Sequence, residues 1–226
     1  MEGGARSPSL RIRQGRIDLK LLEMDPMPYL KGPEAVQRVR EYYDSATRAF
    51  AGRRFEFLGG GGDRSGVANV FTSEDLVAVS MLSINIPGEA AIAILDDPGN
   101  ELADRLARVP VGIPLWEAED SIIDDDHSVA TEIWHILRDI DGIGWVTANK
   151  LLARKRPHLF PVYDRVVKAA LRPNQKDLWI PLRNQLLADD RRLLNRLEEI
   201  RSRAGLDVEP PLLRILDVAI WMTSPR

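Results

Sequence analysis

The chain has no cysteine among its 226 residues. That absence excludes disulfides, thiolate zinc sites and cysteine-held iron–sulfur clusters. Histidine is scarce, and His127, His135 and His158 are too scattered to suggest a His-based metal site. No stretch approaches the roughly 18 to 20 uncharged apolar residues of a membrane helix, and Met1 to Ser9 lacks the apolar centre of a secretory signal. We therefore expect no cofactor, no metal, no iron–sulfur cluster and no membrane partner, with the cytoplasm as the address. Any chemistry falls to carboxylates.

An excess of positive charge is also missing. The net charge of −3 argues against a basic coat over the whole surface, but the distribution along the chain is uneven. From Asn149 to Lys176 the chain carries Lys150, Arg154, Lys155, Arg156, Arg165, Lys168, Arg172 and Lys176 against the single acid Asp164, while Glu117, Glu119, Asp120 and Asp124 to Asp126 form an acidic run upstream. A hydrophobic content of 44% is enough for a sizeable core, in one domain or in two lobes sharing a cleft.

Residues 1–9 read as a disordered tail, and Leu10 to Leu22 alternates around Gln14-Gly15 in a way that permits a short β-hairpin. Beyond that the periodicity is helical. Pro33 opens a segment in which Val36, Val39, Tyr43, Ala46 and Phe50 recur at helical spacing, and Gly59 to Gly62 then reads as a flexible connection without the Lys-Ser/Thr of a P-loop. Thr72 and Asp75 have the spacing of a capping box before an apolar run to Leu82. Further helices are expected after Pro87, near Glu101 to Arg108, and after Ser128 up to Ile140. Others are expected over Asp164 to Leu171, Leu178 to Ala188, Asp190 to Ala204, and from Pro210-Pro211 through Met222. The expected class is all-α.

The most specific stretch is Ile140-Asp141-Gly142-Ile143-Gly144-Trp145-Val146-Thr147-Ala148-Asn149. Two glycines between helices let a backbone approach a phosphate, and open N–H groups at a helix start attract anions. Lys150 and Arg154, one turn apart, add cations. A tight helix–helix turn with glycines for packing is the alternative. Downstream, Pro161-Val162-Tyr163-Asp164-Arg165-Val166-Val167-Lys168 places one aspartate where it can cap a helix for about 1 kcal/mol and pair with Lys168 at i, i+4.

The hairpin resembles the helix-hairpin-helix of DNA-binding proteins. Followed at this distance by Val162-Tyr163-Asp164-Arg165-Val166, and preceded by Asp75 to Asn85, it resembles the helix-hairpin-helix DNA glycosylase superfamily over about residues 72–170. The resemblance implies a glycosylase-like unit over 10–226, with one lobe of about 72–157 and another of about 28–58 plus 158–226 around a cleft. It implies double-stranded DNA as partner, with Gly142, Ile143, Gly144, Thr147, Lys150, Arg154, Lys155 and Arg165 on the phosphates and Asp164 as the catalytic carboxylate. Asn85, Trp116, Trp145 and Tyr163 are the implied base-pocket or gap-probing residues. Val146 stands where bifunctional members carry the Schiff-base lysine, so lyase chemistry through that position is excluded. Arg165-Val166 replaces the family's Thr-His, and Ile84-Asn85 its Gln-Gln. The implied activity is monofunctional cleavage of the base–sugar bond through an oxocarbenium-like sugar, with the base flipped out of the stack. A non-catalytic DNA-binding module and a helical protein-interaction module are the other readings. Gly-Arg-Arg-Phe, Gly-Trp-Val-Thr-Ala and Lys-Arg-Pro-His-Leu-Phe-Pro-Val-Tyr-Asp also resemble a bacterial family of unknown function.

Overall fold

A computed structural model describes residues 24–47, 49–124, 127–171 and 178–224, and none of these lies in a strand. The expected N-terminal tail and hairpin, residues 1–9 and 10–22, fall outside them. Ten α-helical elements, beside short 3-10 turns, follow in order among the described residues: α1 Gly32–Tyr43, α2 Ser73–Ser80, α3 Gly88–Asp96, α4 Glu101–Leu106, α5 Asp120–Ile123, α6 Val129–Asp139, α7 Trp145–Lys155, α8 Arg165–Leu171, α9 Trp179–Ala204 and α10 Leu212–Trp221.

Local chemistry sets most of their starts. Asp75 Oδ2 accepts from the Thr72 backbone N–H at 3.0 Å and from its hydroxyl at 3.2 Å, in the capping box expected at the head of α2. Ser128 Oγ accepts from Thr131 N at 3.3 Å to open α6, and Pro87 and Pro211 stand at the N-caps of α3 and α10. One boundary differs from the periodic pattern. α1 stops at Tyr43 rather than running to Phe50, because Asp44 leaves the helical region and its Oδ1 accepts from Ala46 N at 2.9 Å. Phe50 instead folds back to stack on Tyr42, with ring centroids 5.1 Å apart. The two helices expected over Leu178 to Ala204 are both present within the α9 span, separated where Ala188 is extended and Asp189, Asp190 and Arg191 take positive φ.

α1, α8 and α9 pack on α10, whose residues Leu212 to Ile220 are all buried. α7 packs on α2 and α6, α6 on α4 and α5, and α5 reaches α9. No helix among the described residues is long and apolar enough to cross a membrane.

The Gly59 to Gly62 segment is tightly fitted rather than a flexible connection. A Cβ on Gly62 would lie 2.4 Å from the Arg154 carbonyl oxygen. Carbonyls at both ends of the segment hold α7: Leu58 O, just before it, accepts from Arg154 Nη2 at 2.6 Å and Gly62 O from Lys155 Nζ at 2.8 Å.

Candidate functional site

α6 ends at Asp139 and α7 begins at Trp145, so the hairpin is the five residues 140–144. Ile143 is buried as its hydrophobic pin, its N–H bonded to Ile140 O at 3.0 Å and its carbonyl accepting from Arg138 Nη1 at 2.8 Å. The two glycines differ in kind. Gly142 has φ +84°, and a Cβ there would meet Pro87 Cγ at 2.8 Å, so the fold itself requires glycine. Gly144, the N-cap of α7, has φ −79° and nothing within 4 Å of a Cβ. No side chain caps α7 there, which leaves its first N–H groups without a side-chain acceptor from the cap residue.

Beside this N-terminus opens a cleft of about 670 Å³, within the size range of small-ligand pockets. Its walls come from Tyr42 of α1, the turn after α2, the start of α7, the entry to α8 and the inner face of α10. Asp164 lines it, with a side chain 16% exposed. Its Oδ1 accepts from Val166 N at 3.0 Å and Val167 N at 3.1 Å, which makes it the N-cap of α8 and fixes the carboxylate by backbone geometry. Its Oδ2 lies 3.7 Å from Lys150 Nζ, an ion pair beyond hydrogen-bond range. The Lys150 ammonium is itself bonded to Leu82 O at 2.9 Å. Burial lowers the Lys150 pKa, and Asp164 partly offsets that.

At the inner end of the cleft stands a buried charge cluster. Arg214 on α10 donates to Asp217 Oδ1, to the Tyr42 hydroxyl and, at 3.3 Å, to Gly52 O. Its Nε lies 2.6 Å from Glu56 Oε1, though off the hydrogen-bonding axis. Burial pushes the Asp217 carboxyl well up and the Glu56 carboxyl up, each against the pull of Arg214. The same burial raises the Tyr42 hydroxyl to about 12.

The expected DNA-contact residues divide. Gly144, Thr147, Lys150 and Arg165 line the cleft, and Arg165 is exposed. Arg154 and Lys155 do not reach the surface: they are 1% and 0% exposed, paired with the fully buried Asp75 at 2.8 and 2.6 Å. Their other donors go to the carbonyls of Phe55, Glu56, Leu58, Gly62 and Val67. Neither can meet a phosphate without breaking this cluster, so both are internal structural cations and not the expected DNA contacts. Lys150 is 4% exposed and committed to Leu82 O and Asp164, so it faces the cleft rather than an external backbone. The expected Lys168–Asp164 pairing is absent among the described residues; the Lys168 ammonium lies over the Trp145 ring, 5.0 Å from its centroid.

Of the expected pocket residues, Trp145 lines the cleft. Tyr163 packs edge-on against it at 5.8 Å but is buried behind the wall. Trp116 packs against the core, outside the lining, and exposed Asn85 follows the lining residues Ser83 and Ile84 without joining them. The residues missed were Tyr42, Phe50, Arg214, Asp217 and Trp221. One signal was available: Arg214 and Asp217, three apart, are the charged residues in the otherwise apolar Leu212 to Trp221 helix. Such a pair must be satisfied inside the core.

No curated protein and no solved structure matches the chain. A family does, over residues 35–224, from α1 to the end of α10 and across every wall of the cleft. The chain belongs to the DUF6308 family, a family of unknown function.

Proposed function

We propose that the protein binds double-stranded DNA through its hairpin and hydrolyses the N-glycosidic bond of a flipped damaged or modified base, as a monofunctional glycosylase without lyase chemistry at Val146. The observation that carries this reading is Asp164, held by two backbone N–H groups at the wall of a 670 Å³ cleft that also takes in Gly144 at the uncapped start of α7. A DNA phosphate at that N-terminus meets open N–H groups and the positive end of the helix dipole. The base enters between Trp145, Ile84, Phe50 and Trp221. Asp164 then stabilises the developing positive charge on the sugar or takes a proton from water. In this reading the cleft divides a lobe of about 72–157 from one of about 28–58 plus 158–226.

Its test is release of free bases, read by mass spectrometry, from methylated, deaminated, oxidised and virally modified DNA. Asp164→Asn keeps a good N-cap and hence the fold. Release by wild type, reduced by about 10² to 10⁴-fold in Asp164→Asn, is the expected result. A second reading, a DNA-binding module without catalysis, is favoured by the Lys150 ammonium 3.7 Å from Asp164, which gives the carboxylate a structural partner. No release, with salt-sensitive binding kept by both proteins, selects it over the glycosylase. Absence of DNA binding altogether leaves a helical protein-interaction module.

A further inference from the structure

Asp217 is the buried group that the mechanism above leaves unused. It lines the same cleft as Asp164, with a side chain 2% exposed. Its Oδ1 accepts from Arg214, while Oδ2 has no hydrogen-bond partner among the described residues. A buried carboxyl oxygen without a partner costs free energy, and less when the carboxyl is neutral than when it is ionised.

We propose that Asp217 is the second carboxyl of the site, a protonated group that donates to an acceptor atom on the bound base and gives up its proton as the base departs. The inference rests on the glycosylase reading. Arg214 is the one cation within ion-pair distance of both buried carboxyls, Glu56 and Asp217, among the described residues, which favours keeping a proton in the cluster. Asp217 is the carboxyl of the two that lines the cleft. Its charged surroundings are Arg214 on its own helix, Glu56 from the segment after α1, Tyr42 and Tyr43 of α1, Lys150 of α7 and Asp164 at the head of α8. Burial, Glu56 and Asp164 favour the protonated form, and Arg214 and Lys150 oppose it. The ligand class is a heterocycle that presents a ring nitrogen or carbonyl oxygen to the inner end of the cleft.

In the step, the bond between C1′ and the base nitrogen breaks with its electron pair going to the base. The Asp217 proton passes to the base acceptor. Water adds to C1′ and gives one proton to Asp164. The products are the neutral base and an abasic sugar hydroxyl, and solvent exchange restores both carboxyls. Two carboxyls whose surroundings hold one charged and one neutral thus divide the roles of base and acid.

The test uses two readouts on the full chain. Infrared difference spectra between wild type and Asp217→Asn at neutral pH should show loss of a protonated-carboxyl band; loss of a carboxylate band instead overturns the proposal. Single-turnover base release from uracil-containing, hypoxanthine-containing and oxidised DNA, whose leaving bases need a proton, should fall in wild type as pH rises through the Asp217 titration. Asp217→Asn should be slower by about 10² to 10³-fold and lose that alkaline fall. Glu56→Gln, which does not touch the cleft, should move the fall to lower pH by leaving Arg214 to hold Asp217 ionised. If Asp217→Asn fails to fold, an unmoved alkaline limb in Glu56→Gln overturns the proposal. Wild-type rate and pH profile in Asp217→Asn overturn it while leaving the glycosylase reading intact. No base release by wild type removes that reading and this proposal with it.

Discussion

Asp75 shows how a single residue changes meaning between sequence and structure. In the sequence it completes a capping box, and it does so. It is also the sole carboxylate within ion-pair reach of Arg154 and Lys155 among the described residues, all three fully enclosed. Asp75→Asn leaves two buried cations without a counter-charge, which costs about 3 to 5 kcal/mol. Urea unfolding measures it; a loss under about 1 kcal/mol would mean that the carbonyls alone hold the cations. Arg165→Ala, at an exposed residue, should change stability by less than about 0.5 kcal/mol and weaken DNA binding instead. The charge of Arg154 and Lys155 was legible in the sequence, but their partners were not. The carbonyls that receive them lie from 88 to 99 residues away, and no local pattern records which backbone will arrive.

Among the elements, the hairpin was the most legible, because its requirements are local: a left-handed glycine, a buried isoleucine and a bare helix start. The two glycines give a paired prediction. Gly142→Ala forces a Cβ into Pro87 at positive φ and should destabilise the fold by about 1 to 3 kcal/mol. Gly144→Ala has ordinary φ and open space, so its stability cost should stay under about 1 kcal/mol while DNA affinity falls. Thermal melts beside fluorescence-anisotropy titrations separate the two, and equal affinity for Gly144→Ala and wild type would take the phosphate away from this N-terminus. Element ends were less legible. α1 stops seven residues short of Phe50 because an Asp44 turn and Tyr42 stacking outweigh continued helical periodicity.

Over the whole molecule, the buried charge clusters set the response to pH and salt. Asp217 and Glu56 have carboxyls raised in the folded state above the unfolded value of about 4. The folded protein therefore binds more protons than the unfolded chain above that pH. Stability from these groups is complete below about pH 4 and is lost as pH rises through their folded values. Lys150 and Lys155 are lowered, so their effect has the opposite sign and acts on the alkaline side, below about pH 10.5. Unfolding free energy measured from pH 5 upward should decline in wild type and flatten in Glu56→Gln; the same slope in both would place the raised carboxyl elsewhere. With Arg154 and Lys155 internal, exposed Arg138, Arg165 and Lys168 remain near the hairpin and the head of α8. The slope of log affinity for DNA against log salt should then be about −2 to −3, at close to one unit per phosphate contact, and a steeper slope would count against this face. The sequence by itself determined the all-helical class, the caps, the glycine hairpin and the position of Asp164 at a helix start, since each depends on residues within a turn or two of one another. The tertiary structure alone decided that Arg154 and Lys155 are internal, that Lys150 faces Asp164, and that Asp217 joins the cleft. Those outcomes depend on burial and on partners brought from distant parts of the chain, which residue spacing does not encode.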